Sequence, residues 1–204
     1  MKTFPKELLT PAEKKLFAKL NTPEKIQDYI AALPTNNSDT VRSVRRSISA
    51  KQVHCFEGAL FAAAVLWYHG QPPLLLDLKT HKHDVDHVVA VFERDGLWGA
   101  ISATNHSVLR YRDPIYKNMR EIALSYFHEY FLNSGVKTLR AYSKKPFSLL
   151  PYANAWLFDE EELYDLGADL DDSAHMQIAP PAAIKKLRKA DKVERDAANL
   201  QTNQ

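Results

Sequence analysis

The sequence predicts an α+β domain: one central buried helix packed on a small antiparallel sheet, with additional N- and C-terminal helices. Three observations predict it. Cys55 to His69 is apolar almost all round, and a helix without a polar face is a buried one. Two apolar runs, His87 to Glu93 and Leu97 to Ala103, are joined by Arg94-Asp95-Gly96, and Asp-Gly at a hairpin tip signals a type I′ turn. The flanking segments carry helix-start signatures instead.

The 204 residues suit one domain with a full core. Residues 1–50 read as a helical scaffold of that domain, 51–158 as its core with helical cover, and 159–204 as a C-terminal helical extension with a disordered tail. At 45% hydrophobic and 25% charged the composition is that of an ordinary globular protein. A net charge of +2 leaves no nucleic-acid footprint, so no nucleic-acid partner is expected. The single cysteine rules out an intramolecular disulfide framework and fits a reducing compartment, so the expected location is cytoplasmic. The lysine-rich first twenty residues lack a continuous apolar stretch, and the run Ala59 to Tyr68 is too short for a bilayer, so no membrane partner is expected. No Walker or dinucleotide fingerprint occurs, and no cofactor is called for.

Taken in order, residues 1–20 should hold a first helix, with Thr10 as N-cap, Pro11 in the first helical position and Glu13 closing a capping box. Thr22-Pro23-Glu24 repeats the signature for a second helix, stopped by Pro34. Asp39 or Thr40 should cap a short third one, with Arg42, Arg45, Arg46 and Lys51 on its basic face, either solvated or rimming an anion site. The central helix ends at Gly70, and Pro72-Pro73 forbid continuation. Leu74 to Leu78 is a short strand, and His81 to Asp86 a polar loop. The apolar character of both faces of the His87 strand predicts a sheet covered on both sides. Ile122, Ala123, Tyr126, Phe127, Tyr130 and Phe131 follow helical spacing. Residues 136–158 read as irregular, Asp159 as the cap of a helix through Leu166, and Ala182 to Ala198 as one charged helix. Residues 201–204 are expected to be disordered.

The chemistry concentrates at Cys55, where a loop becomes a buried helix. Free amides and the positive end of the helix dipole favour a thiolate there and can also meet an oxyanion. A nucleophilic cysteine needs an imidazole partner, and His87, opening the first hairpin strand, is the best placed of eight histidines. With Asp95-Gly96 as the two loop residues, paired positions sum to 191. His87 then opposes Thr104, and His87, Ser102 and Thr104 share one sheet face. Ser102 is thus a candidate orienter of the imidazole; Asn105 reaches it only through a slip, a bulge or a bend after Ala103. Gln52 is a candidate oxyanion donor, His54 a neighbour able to tune the thiol, and Arg110 a polar contributor to the cleft. Glu57, in the first turn, invites a salt bridge with Arg45 or Arg110. His81, His83, Asp84, Asp86 and His87 are metal-ligand types, but no accompanying motif supports a metal site, and a solvated cleft loop is the simpler reading. A lone cysteine in an apolar segment can also be no more than a small buried hydrophobe.

At these residues the chain resembles the transglutaminase-like branch of the papain-like cysteine enzymes. The resemblance lies in Cys55 opening a buried helix, the small-residue-rich segment from Ala59 to Gly70, His87-Val88-Val89-Ala90-Val91, and the return through Asp95-Gly96-Leu97-Trp98. It covers about fifty residues. It implies a papain/transglutaminase-like core, a Cys-His-Asp triad and acyl-enzyme chemistry on an amide or ester of a peptide or small molecule. The chain departs from the pattern at Ser102, where the family usually has Asp, and Asn105 is the other residue able to take that role. The expectation is a thiol-dependent hydrolase or acyltransferase; the alternative is a catalytically inactive binding module on the same fold. Substrate and oligomeric state are not legible.

Overall fold

A computed structural model describes residues 2–201. The chain opens with a 3₁₀ turn at Lys6–Leu8 and three helices, α1 (Pro11–Lys19), α2 (Pro23–Ala31) and α3 (Val44–Ala50). The Thr10 capping box forms as its sequence predicts: Thr10 Oγ1 accepts the Glu13 amide at 3.2 Å and Glu13 Oε2 accepts the Thr10 amide at 2.7 Å. The third helix departs from expectation, since it begins at Val44 under a Ser43 cap. Thr40 is unavailable as a cap because its hydroxyl is held between Asn36 and Glu57. Arg45 and Arg46 form neither a solvated face nor an anion rim; they are spent on Glu13 and Glu162.

The apolar run then becomes α4 (Cys55–Tyr68), in which Ala62, Ala63 and Ala64 are fully buried. Gly70, at φ 93°, ends it in the left-handed conformation a helix terminator needs. The sheet contains β1 (Leu74–Thr80), β2 (His87–Arg94), β3 (Leu97–Ile101), β4 (Arg112–Tyr116), β5 (Leu139–Ser143), β6 (Phe147–Ser148) and β7 (His175–Gln177). Its order is β4-β3-β2-β1-β5-β7, with β6 also on β1, and every pairing is antiparallel. It is therefore larger than the small sheet the sequence suggested. β4 escaped notice because it contains Pro114, which an edge strand tolerates by turning its missing donor side outward. β5 and β6 lie in the stretch read as irregular, and β7 is too short to show a period.

The sheet is covered on both faces. Leu75, Val88, Ala90, Phe92 and Ile101 pack with α4. Leu76, Leu78, Val89, Val91 and Ala100 pack against α5 (Met119–Phe127), whose Ile122, Ala123 and Tyr126 are fully buried. The close approach of α4 to the segment after β3 depends on Gly58: a Cβ added there would lie 2.3 Å from Ala103 Cβ.

The C-terminal third differs most from expectation. Asp159 ends α6 (Ala155–Phe158) instead of starting a helix, and α7 runs over Tyr164–Asp171. The charged segment splits into α8 (Pro181–Ile184) and α9 (Lys192–Ala198), because Asp191 and Glu194 form a fresh capping box. Gln201 forms a β-bridge with His106 and is not loose; residues 202–204, also expected to be disordered, lie outside the described residues.

Candidate active site

The start of α4 is held by a buried polar cluster. His54 is the N-cap: its Nδ1 accepts the Phe56 amide at 3.2 Å, and its Nε2 donates to the Thr40 carbonyl at 2.6 Å. Glu57, with no exposed surface, takes the remaining loose donors. Its Oε1 accepts the Arg42 amide at 3.1 Å and the Thr40 hydroxyl at 3.2 Å. Its Oε2 accepts Asn36 Nδ2 at 3.0 Å and the His54 amide at 3.3 Å. Its cationic partner is Arg42, with Nε at 3.7 Å; the two arginines expected in that role are engaged elsewhere, Arg45 with Glu13 and Arg110 with the His106 carbonyl. This cluster fixes the backbone at which Cys55 begins the helix.

The hairpin brings the histidine to the same place. Asp95 and Gly96 have φ of 54° and 77°, the two positive values a type I′ turn requires. The pairs Ala90–Ile101 to Arg94–Leu97 follow the sum of 191 read from the sequence. Beyond Ile101 the strand ends, and Ser102 is clamped by Gln27 of α2. The Gln27 Oε1 accepts the Ser102 amide and its Nε2 donates to the Ser102 carbonyl, both at 2.9 Å. A side-chain amide thus replaces the next strand. Held this way, Ser102 Oγ lies 2.7 Å from His87 Nε2 and 2.5 Å from the Leu109 carbonyl.

That pair of distances fixes the direction of the protons. The Leu109 carbonyl only accepts, so the serine hydroxyl donates to it, and Ser102 receives the His87 Nε2–H. The Nδ1 of His87 is left for Cys55. Burial pushes the Cys55 thiol up, but hydrogen bonding from His54 and His87, the charge His87 can carry and the Val88 amide outweigh it and bring the thiol down to about 5. That direction favours the thiolate over the thiol. Burial opposes protonation of His54, yet its contacts with Cys55, the Thr40 carbonyl and the Glu57 carboxylate raise it above the ordinary histidine range. In neutral form His54 spends its one proton on Thr40 and its other nitrogen on Phe56, so it can donate to the sulfur only as imidazolium. His87 has no such commitment at Nδ1, and it acts on the thiol both through a hydrogen bond and through its charge.

Cys55 and His87 face a cleft of about 490 Å³. Asn105 and His54 line it too; Gln52 and Arg110 do not. Gln52 is half-buried beside the loop, and the Arg110 guanidinium turns back to its own loop at His106. One wall is formed by residues near the C-terminus: Ala198 and Asn199 line the cleft, and Ser107 binds the Ala197 and Leu200 carbonyls. The His81–Asp86 loop serves structure. Asp84 accepts from Thr138 and Asp86 from the Thr80 amide and hydroxyl. Among the described residues, the one cluster of three potential metal-binding side chains is Asp77, Asp86 and Asp171, without a histidine. Lys79 sits on Asp171 and His175 on Asp77, while burial and the neighbouring Asp86 push Asp77 up to about 6.

Sequence reasoning missed three residues that hold the site: Gln27, Leu109 and Glu129. Leu109 adopts a positive φ of 59°, rare for a branched side chain. Glu129 holds it there by accepting its amide at 2.8 Å while pairing with Arg112 at 2.6 Å. None carries a local signal: Gln27 and Glu129 act 75 and 20 residues away, and Leu109 acts through its backbone carbonyl. No family model matches this chain, and a search of curated proteins finds no relative.

Proposed function

We propose that the protein is a thiol-dependent hydrolase or acyltransferase acting on an amide or ester, with a transglutaminase-like, papain-type core. The observation that carries the reading is the chain Cys55–His87–Ser102–Leu109, in which an acidic thiol faces an imidazole whose far nitrogen is pinned by an acceptor. Cys55 thiolate attacks the substrate carbonyl carbon, forming the S–C bond and moving the C=O π pair onto oxygen. The amides of Phe56 and Gly58 are taken by the His54 ring and carbonyl. We assign the Cys55 amide, at the positive end of α4, to the oxyanion. His87 imidazolium gives its Nδ1 proton to the leaving nitrogen or oxygen, leaving a thioester. Water or an amine then attacks the thioester, His87 Nδ1 takes its proton, and the thiolate departs. Ser102 keeps Nε2 protonated throughout, so that Nδ1 does the chemistry.

The uncharged Ser102 stabilises imidazolium less than a carboxylate does, which favours modest turnover and is the observation behind the second reading, a binding module without catalysis. The two part in one experiment. The chain is incubated with p-nitrophenyl acetate and, separately, with a glutamine-containing peptide plus a fluorescent primary amine, and followed by intact-mass spectrometry. The enzyme reading expects an acyl adduct on Cys55 and product release, both absent in Cys55→Ala. Absence of adduct and product with every ester and amide tried counts against the enzyme reading and leaves the binding module as the alternative.

A further inference from the structure

A second recess extends from Tyr142, level with His87 through Leu78, to Trp98 near the far end of β2. β2 runs from His87, at the cleft, to Arg94, and Trp98 pairs with Glu93 near its far end, roughly 20 Å away at the rise of an extended strand. The recess, about 390 Å³, is lined by Trp98 and Tyr142 together with Lys117, Arg120, Lys144 and Lys145. Trp98 is half-buried, so part of its ring is accessible. No carboxylate lines the recess, and none of the three lysines forms an ion pair among the described residues. The Arg120 guanidinium meets only a carbonyl, that of Ile178. The contrast with the first cleft is chemical: Asp84, Asp86 and Glu129 line that one, without a lysine or arginine.

We propose that this recess binds a small phosphorylated ligand with a flat ring, of the nucleoside mono- or diphosphate class. Four of the nine residues lining the recess are cationic, and they attract an anion. An accessible indole offers the face on which a planar ring stacks, an arrangement that tolerates many bases. The volume falls at the small end of small-molecule pockets, which favours a mononucleotide over a polymer. The site is independent of the thiol reading, since it shares no residue with the cleft.

The test is equilibrium dialysis of the full chain against ADP at low salt, with tryptophan fluorescence to locate the ligand. Trp67 and Trp156 are 4% and 0% exposed, so quenching reports on Trp98. Saturable binding with quenching is expected, lost in Trp98→Phe as a signal and weakened about tenfold or more in the double variant Lys144→Glu/Lys145→Glu. An unchanged Cys55 alkylation rate in that variant shows that the fold is intact. Any of three results overturns the proposal: no ADP binding at millimolar concentration, inorganic phosphate binding as tightly as ADP, or a single-stranded oligonucleotide binding far more tightly than either.

Discussion

His87 Nε2 lies 2.7 Å from Ser102 Oγ, and the hydrogen of that hydroxyl is committed to the Leu109 carbonyl 2.5 Å away. The serine is thereby fixed as an acceptor, which determines the imidazole tautomer without a charge. Ser102→Ala removes the acceptor and frees the ring, and reactivity of Cys55 should fall by about ten- to a hundredfold, as for loss of one positioning hydrogen bond. Ser102→Asp should not improve it, because a carboxylate would face the Leu109 carbonyl lone pairs. Alkylation rates at pH 7 for both variants check this; a more reactive Asp variant contradicts the account. Glu129→Gln, which loosens Leu109 and its Arg112 pair, should move the rate in the same direction as Ser102→Ala.

Gly58 governs how closely α4 approaches the segment carrying Ser102. The added methyl of Gly58→Ala would meet Ala103 Cβ at 2.3 Å, so the two elements must separate. Overpacking of this kind costs about 1–3 kcal/mol. Urea denaturation should show that loss, accompanied by slower alkylation of Cys55. The helix propensity gain of alanine, about 1 kcal/mol, offsets part of that cost, so the net loss is up to about 2 kcal/mol.

Glu57 is the buried charge on which the start of α4 depends. Glu57→Ala orphans the Arg42 and His54 amides, the Asn36 amide and the Arg42 guanidinium together. Breaking a buried pair by removing one partner costs about 3–5 kcal/mol. Thermal unfolding should therefore show a larger destabilisation than in Gly58→Ala or Ser102→Ala. It should also far exceed that from removing an exposed pair such as Lys192–Asp196, whose charges remain solvated whether paired or not.

These residues also mark where sequence reading succeeds and where it stops. The central helix, the Thr10 and Thr22 caps, the Asp95-Gly96 turn and the register of the hairpin were legible because each rests on local chemistry: an apolar period, a capping pair, two positive φ values. The register even placed His87 and Ser102 on one face. Gln27 was not legible because its side-chain clamp lies 75 residues from Ser102, and Leu109 and Glu129 were not because a backbone carbonyl 7 residues on and a carboxylate 20 residues beyond it follow no helical or strand period. His54 was noticed as a neighbour, yet not as the cap, since an imidazole is an uncommon N-cap and only the Thr40 carbonyl on its far nitrogen makes it one. The edge strand β4 and the three-residue β7 are stabilised by tertiary pairing that no propensity announces.

The most direct test is the rate of iodoacetamide alkylation of Cys55 against pH, in the wild type and in His87→Ala and His54→Ala. The lone cysteine makes the signal unambiguous. A thiol brought down to about 5 is ionised above that pH and loses its reactivity as pH falls through it. The wild-type midpoint should lie near 5, and it should move toward the ordinary thiol value of about 8.5 in both His87→Ala and His54→Ala. A wild-type midpoint at or above the ordinary value, indifferent to His87, would contradict the pairing on which the proposed chemistry rests.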